Sequence, residues 1–577
     1  MPAIQKRRDI KAGYDATDLR RRRADSSLSL RKQKKEQGLA KRRNTASSAS
    51  AIASALQGSD AGDASAAESV LSAPSQRTFT PEDVPYLTAA LKTSEGAARV
   101  EAVRGLRKVL SLEAEPPVSE VIQAGALPLL VLCLDEHSDT ELQFEAAWAL
   151  TNIASTSETR AVVDHGAVAP LVRNLRHHSP DLREQSAWCL GNIAGDCAEL
   201  RDVALGTGDA LEGLLLNVTQ PATTSLLRNC VWAVSNMCRG KPQPSMDSVA
   251  PAIPVLEKLL SSDDPEVLVD TCWALSYLSD GDTDRIAWIM SSGVVNPLNN
   301  LLEHENCNVV TPALRTLGNF VTGDDSQTQG VLDVGVMSHL QNLLRHPKRN
   351  IRKETCWMLS NIVAGTSAQL ALACDTPGVL ASVIELLSSD VWDVQKEATF
   401  VVSNVATAGK ASRIRQLVEN GAIEALCPML DRADAKVILV ALEAISGILA
   451  CDTEEQGLPW VQMVEDCGGL DRLEQLQEHE NRFKVYDKAI QMIERFYGVE
   501  DDEVEDDDLV PTISNGASSF TFGMASASGT MDSMESHSSL TPSKNPSSCG
   551  LEMNSTPREA GGGHPVFGSP MRPLNLT

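Results

Sequence analysis

From about residue 81 to residue 498 the apolar residues fall in one helical run after another, and the runs recur at a fixed interval. Trp148, Trp188, Trp232, Trp273, Arg315, Trp357 and Phe400 stand 40, 44, 41, 42, 42 and 43 residues apart, each inside an apolar helical stretch. Four residues after each come Asn152, Asn192, Asn236, Tyr277, Asn319, Asn361 and Asn404. A second series, Gly125, Gly166, Gly293, Gly335, Gly378 and Gly421, keeps the same period, each glycine ending one helix and letting the chain turn into the next. Roughly 42 residues, predicted to hold two long helices and a shorter one, cannot bury their apolar faces alone, whereas stacked neighbours share one continuous core. The pattern predicts an all-α protein, a right-handed α-α superhelix of about ten such repeats. Residues 100–110 supply an early repeat, 441–449 a ninth and 470–497 a tenth.

The flanks read differently. Residues 1–44 hold 15 Lys and Arg against 5 Asp and Glu, and within them 17–43 predicts a helix capped near Thr17. Residues 45–80 contain 10 Ala and 9 Ser, the composition of a flexible linker, ahead of a solenoid at 81–498. After it, residues 500–508 place eight acids in nine positions, opening a Ser, Gly, Thr and Pro-rich stretch over 499–577 that is expected to be disordered. The net charge of the whole chain is −26, so everything after residue 44 carries −36 against the +10 of the basic segment. A body so acidic repels nucleic acid and favours a basic partner, its own N-terminal segment included. Only 4% of residues are aromatic, which fits aliphatic helices better than a sandwich. The 13 cysteines include no C-x-x-C pair, which points to buried thiols in a reducing compartment and not to zinc or redox chemistry. No apolar run is long enough to span a membrane, and no secretory signal is present. A soluble protein without metal or cofactor is expected.

Residues at i and i+4 share one helix face, so stacking aligns the Trp and Asn positions into parallel rows. An Asn amide offers donor and acceptor to an extended peptide backbone. Slots between neighbouring indoles accept the methylene stems of Lys or Arg, at about 0.5–2 kcal/mol per cation–π contact. Asp196, Asp270, Asp325, Glu354 and Glu397 lie on or just after these helices, where they meet the charged heads. No Walker loop, H-E-x-x-H or G-x-S-x-G motif supports an enzyme.

The sequence resembles the importin-α family, armadillo-repeat adaptors of nuclear import, over residues 6–508. The resemblance is carried by Trp-Ala-Leu-Thr-Asn at 148–152, Trp-Cys-Leu-Gly-Asn-Ile-Ala-Gly-Asp at 188–196 and Trp-Ala-Val-Ser-Asn at 232–236. Leu-Arg-Arg-Arg-Arg at 19–23 and Lys-Arg-Arg-Asn at 41–44 resemble its importin-β-binding segment. The resemblance implies a major site for basic nuclear localisation signals at Trp148, Asn152, Ser155, Thr159, Trp188, Asn192, Asp196, Trp232, Asn236 and Asp270. It implies a minor site at Arg315, Asn319, Asp325, Thr328, Glu354, Trp357, Ser360, Asn361, Glu397, Phe400 and Asn404. Phe400 stands where the family has Trp, and the turn after Asn152 lacks the family's glycine after Ser155.

Lys41, Arg42 and Arg43 are themselves a ligand of the type the groove accepts. A linker with a reach of about 30 Å holds them at millimolar effective concentration, so autoinhibition is expected until importin-β removes the segment. The expected partners are importin-β, cargo proteins with basic signals, and a recycling export receptor with Ran-GTP docking near Glu478, His479, Glu480 and Asn481. Shuttling between cytoplasm and nucleus follows. The competing reading is an armadillo scaffold of signalling or adhesion type, and an enzyme built on paired carboxylates is a remote third.

Overall fold

The computed structural model describes residues 79–112, 115–455, 459–478 and 482–498. The expected basic segment with Lys41, Arg42 and Arg43, all but the end of the linker, the tail from 499, and His479, Glu480 and Asn481 lie outside the described residues. Among the described residues there are helices and turns and no strand.

Ten helices form one row: α1 (Gly96–Leu110), α2 (Thr140–Ala154), α3 (Pro180–Asp196), α4 (Thr224–Met237) and α5 (Pro265–Ser279) come first. They are followed by α6 (Cys307–Phe320), α7 (Arg349–Ile362), α8 (Trp392–Ala408), α9 (Ala435–Glu455) and α10 (Asp487–Phe496). Their starts are written into the sequence. Pro180 and Pro265 open α3 and α5, where a missing N–H costs nothing, and Asp139 and Thr223 cap α2 and α4 by accepting the N–H of Leu142 and Leu226 at 3.0 Å. Each row helix packs on the next, which is the stacking of an armadillo-repeat solenoid.

Two shorter helices complete each later repeat, as Thr159–Asp164 and Val168–Asn174 do ahead of α3, while Val84–Thr93 is the one described α-helix ahead of α1. The expected proportions are therefore inverted, with one long helix and two short ones. The first short helix is stopped after two or three turns by glycine: Gly125, Gly166, Gly293, Gly335, Gly378 and Gly421 all have φ between 75° and 89°, a region that only glycine enters without strain.

Buried Leu, Val, Ile and Ala run from repeat to repeat as a single core. Amide side chains stitch the same seams with hydrogen bonds. Asn217 donates to the Leu175 carbonyl at 2.8 Å between second helices, and Gln327 and Gln369 donate to the carbonyls of Thr283 and Asp325, both at 2.8 Å, between first helices. The buried thiols beside the ladder aromatics are inert packing: burial pushes Cys189 up to about 12 and raises Cys272 and Cys356 further. No single described helix is long and apolar enough to cross a membrane.

The turns entering α3, α6 and α7 share a histidine. Nδ1 of His177, His304 and His346 accepts the N–H of Ser179, Asn306 and Lys348 at 3.1, 2.9 and 3.0 Å. An accepting ring nitrogen carries no proton. Burial first, then the neighbouring His178 for His177 and Lys348 for His346, hold both rings below the ordinary histidine value. The folded state thus favours the neutral ring, and its contribution is complete above the unfolded value of about 6.5 and lost as pH falls below it. The melting midpoint is expected to drop between pH 7 and pH 5.5. Replacing both rings, His177→Asn with His346→Asn, supplies an acceptor that does not titrate and should flatten that part of the profile; an unaltered slope would assign the acid sensitivity elsewhere.

Candidate functional site

The row brings the ladder residues into register, one pair per helix from α2 to α8. The asparagines have a structural task that their sequence pattern did not reveal. Nδ2 of Asn192 donates to the Thr151 carbonyl at 3.1 Å, Asn236 to Gly191 at 3.0 Å, Asn319 to Ser276 at 3.0 Å and Asn404 to Ser360 at 2.9 Å. Each bond reaches back to the carbonyl one residue before the preceding ladder position, and Asn152 makes the same step to Ser111 Oγ at 2.9 Å. Asn361 is the exception: it is buried, and both its amide oxygen and its amide nitrogen lack a partner. Leaving such a group unsatisfied costs about 1–3 kcal/mol, which a hydrogen-bonding ligand would recover.

The indoles are seated by glycine. A Cβ built on Gly191 would lie 2.8 Å from Cε3 of Trp232, and one on Gly318 would lie 2.9 Å from Cε3 of Trp357, so both rings rest directly on the preceding helix. Where that position is Thr151, Ser235 or Ser360, the ring above stays more exposed: Trp188 and Trp273 at 8% and Phe400 at 9%, against 1% for Trp232 and 3% for Trp357. Gly191 and Gly318 were not singled out from sequence, although the Gly-Asn pair in each marks them.

Arginine replaces indole at two ladder positions. Arg315 lies over the Trp357 ring, 5.4 Å from its centroid, and its guanidinium pairs with both oxygens of Glu354, Nε to Oε2 at 2.6 Å. The same assembly occurs at the start of the row, where Arg107 lies 4.3 Å from the Trp148 centroid and its Nε meets Glu145 Oε2 at 2.7 Å. Arg107 stands 41 residues before Trp148, so the period identifies it as the ladder residue of the first repeat. Glu145 and Glu354 each precede their tryptophan by three residues, which puts carboxylate and ring on one face. Glu354 is therefore committed to an internal cation, and both it and Glu145 are buried.

The remaining acids sit at two levels. Asp270 and Glu397 are buried on α5 and α8, three residues before Trp273 and Phe400. Asp196 is exposed as the last residue of α3, where its charge adds to the negative end of the helix dipole. Asp325 is exposed as the first residue of the short helix after α6, Asp325–Leu332. Hydroxyls after α2 and α6 are used internally: Ser155 donates to the Asn152 carbonyl at 2.8 Å, Thr159 to Ala154 and Thr156 at 2.9 Å, and Thr328 to Asp324 at 3.1 Å. Ser360 donates to the Trp357 carbonyl at 2.8 Å. Thr328 stands three residues after Asp325 on the same short helix, whereas Thr159 opens the short helix Thr159–Asp164 that follows α2. Tyr277 stacks on Trp273 of its own helix, with centroids 5.8 Å apart.

A family model described as the importin beta binding domain matches residues 6–104. Armadillo/beta-catenin-like repeats match 115–155, 157–195, 282–322 and 324–364, a HEAT-like repeat matches 224–278 and an atypical Arm repeat 458–512. Importin subunit alpha-2 of Arabidopsis thaliana is 40% identical over 527 residues, 90% of this chain and 95% of its own length. Importin subunit alpha-1b of Oryza sativa subsp. japonica is 40% identical over 77% of this chain and 83% of its own. The crystal structure of an engineered protein superposes with a TM-score of 0.66 at 29% identity, over 72% of this chain and 99% of that one.

If glycine seats the rings, Gly191→Ala should lift Trp232 and destabilise the seam between α3 and α4 by about 1–3 kcal/mol, the usual cost of overpacking. Chemical denaturation followed by tryptophan emission reads both effects. A variant as stable as the parent, with an unshifted emission maximum, would show that the ring does not depend on the missing Cβ.

Proposed function

The chain belongs to the importin-α family, and from that premise we propose that its ladder holds the basic localisation signals of cargo proteins while residues 1–44 engage importin-β. It is a transport adaptor and not an enzyme. The observation that carries the ligand assignment is the pair of internal arginines: Arg107 and Arg315 already lie on indole faces with a carboxylate at the guanidinium, the contacts a signal's lysine or arginine would make.

In this reading the major site comprises Trp148, Asn152, Trp188, Asn192, Trp232 and Asn236, with Ser155, Thr159, Asp196 and Asp270 around the cation heads. Indole slots take the methylene stems, and the asparagine amides fix the peptide backbone in an extended form while remaining tied to the preceding helix. Asp196 receives an ammonium group at a place where the helix end and the carboxylate act together. The minor site comprises Trp357, Phe400, Asn319, Asn361 and Asn404, with Asp325 in the part of Asp196, Thr328 beside it, and Ser360 and Glu397 near the second slot. The unsatisfied amide of Asn361 favours a backbone ligand there. Phe400 gives a smaller, less electron-rich wall than a tryptophan would.

Lys41, Arg42 and Arg43 compete for the same site in the free adaptor, tethered by residues 45–80. The last repeat, including Leu476 and α10, is proposed as the docking place of a recycling export receptor with Ran-GTP, and the adaptor as a shuttle between cytoplasm and nucleus. An armadillo scaffold for acidic partners fits less well, because the body bears −36.

Two measurements test this function. Asp196→Lys places a cation where the ligand's is held and should cost roughly 2–5 kcal/mol of peptide affinity with an unchanged melting midpoint. Unaltered affinity in a folded sample would remove Asp196 from the site. Deleting residues 1–44 should raise the affinity for a basic peptide and abolish importin-β binding, both by titration calorimetry; equal peptide affinities with and without the segment would end the autoinhibition claim.

A further inference from the structure

The first short helices carry an apolar row of their own, outside the ladder. Val203, Trp288 and Leu372 are exposed at 40%, 46% and 43%, and each is the sixth residue of its helix, in Ala198–Gly206, Thr283–Ser291 and Ser367–Asp375. The helix between the last two, Asp325–Leu332, has Gly330 at that position. Trp288 and Leu372 are therefore two posts, two repeats apart, with a floor between them that has no side chain of its own. A Cβ built on Gly330 would lie 3.2 Å from the Met290 methyl carbon, so that methyl lines the floor. Charge around the row is one-sided: residues 282–293, 324–335 and 366–378, which hold the three helices and their flanks, contain six Asp and one Arg. That arginine, Arg285, is committed internally, donating to the carbonyls of Leu278 and Pro244, both at 2.9 Å. Asp284 lies one turn before Trp288 and Asp333 one turn after Gly330, both exposed and on the faces of those residues. Asp333 accepts from Gln329 at 2.7 Å and keeps its charge unopposed by that contact, whereas Asp375 is held by Arg413 at 2.6 Å.

We propose that the row of Trp288, Gly330 and Leu372, with its aspartate rim, is a docking surface for a basic amphipathic helix of another protein, carried by the first helices and not by the ladder. Large apolar side chains exposed at one register gain most of their burial from a partner, and tryptophan is among the residues that most often anchor such contacts. The period of the row selects a helix. Neighbouring helices pack about 8–10 Å apart, close to the ~10.8 Å of two α-helical turns, so a helix laid along the row brings one face to both posts and an apolar residue over Gly330. An extended segment returns to the same face every ~6.6 Å and falls out of step. The rim selects the charge, because Asp284 and Asp333 meet lysine or arginine flanking the apolar stripe of the partner. The same rim repels nucleic acid and anionic lipid, and a second copy offering this face would set aspartate against aspartate.

The test uses the full-length chain and a fluorescent synthetic peptide of about 18 residues, with leucines along one helical face and lysines on the rest. An excess of an unlabelled peptide of glycine, serine and lysine suppresses binding that depends on lysine alone, so anisotropy reports the leucine-dependent part. Trp288→Ala is expected to weaken that binding about tenfold or more. Gly330→Leu, which fills the floor, is expected to weaken it to a similar degree without lowering the melting midpoint, because it meets the flexible end of Met290 and removes a glycine from a helix. Asp284→Lys with Asp333→Lys should cost about fivefold, and a peptide with glutamate in place of lysine should bind the parent about tenfold more weakly. Equal affinity in the parent, in Trp288→Ala and in Gly330→Leu overturns the proposal. Absence of leucine-dependent binding to the parent does the same, as does equal binding of a scrambled peptide of the same composition. Self-association of the parent in sedimentation, abolished by Trp288→Ala, would overturn it by assigning the face to a second copy of this chain.

Discussion

Every seam in this solenoid must satisfy two demands within one period: apolar faces have to meet apolar faces, and the polar side chains buried with them need partners. The ladder asparagines meet the second demand by donating to a backbone carbonyl of the preceding helix, one residue before its own ladder position. That carbonyl is already an acceptor within its helix, and a carbonyl oxygen has a second lone pair to offer. Because the bond is directional and short, it fixes the rotation of α3, α4, α6 and α8 against the helix before, and the ladder residue one turn earlier is aimed by the same constraint. The proposed binding surface is thus a by-product of how the repeats are joined.

Variation along the ladder follows from what is allowed beneath each ring. Glycine at 191 and 318 lets Trp232 and Trp357 settle on backbone, while hydroxyl residues elsewhere hold the ring slightly away. Arginine at 107 and 315 brings its own charge into a buried setting, and is tolerated because Glu145 and Glu354 stand one turn before the next indole. A buried carboxylate that loses its arginine would be left uncompensated, at a cost of about 3–5 kcal/mol. Charge and ring are therefore placed as a unit of three residues spread over two repeats.

The repeat architecture was legible because a period of about 42 residues leaves its mark on residues too large or too polar to be interchangeable in a core. The glycines at the ends of the first helices were equally plain, since their backbone conformation excludes most other residues. Helix proportions were not, because a first and a second short helix joined through glycine share one apolar face and read as a longer element. Arg107 fell into a stretch recognised only as an early repeat, and its identity as a ladder residue emerges from its contact with Trp148. The double duty of asparagine could not be read at all: its hydrogen-bond acceptor is a backbone atom, and backbone atoms leave no trace in the pattern of side chains.

The ladder asparagines of α2, α3, α4, α6 and α8 all point their donors the same way, towards the N-terminal neighbour. During synthesis the N-terminal repeats leave the ribosome first, so each new row helix emerges to find its acceptors already in place and never waits on residues still to be made. Growth by addition to an existing end suits a protein whose repeats contact only their neighbours. It also makes the two ends unequal. A chain cut short at its C-terminus keeps every surviving stitch, whereas one shortened at its N-terminus begins with an asparagine whose acceptor has gone.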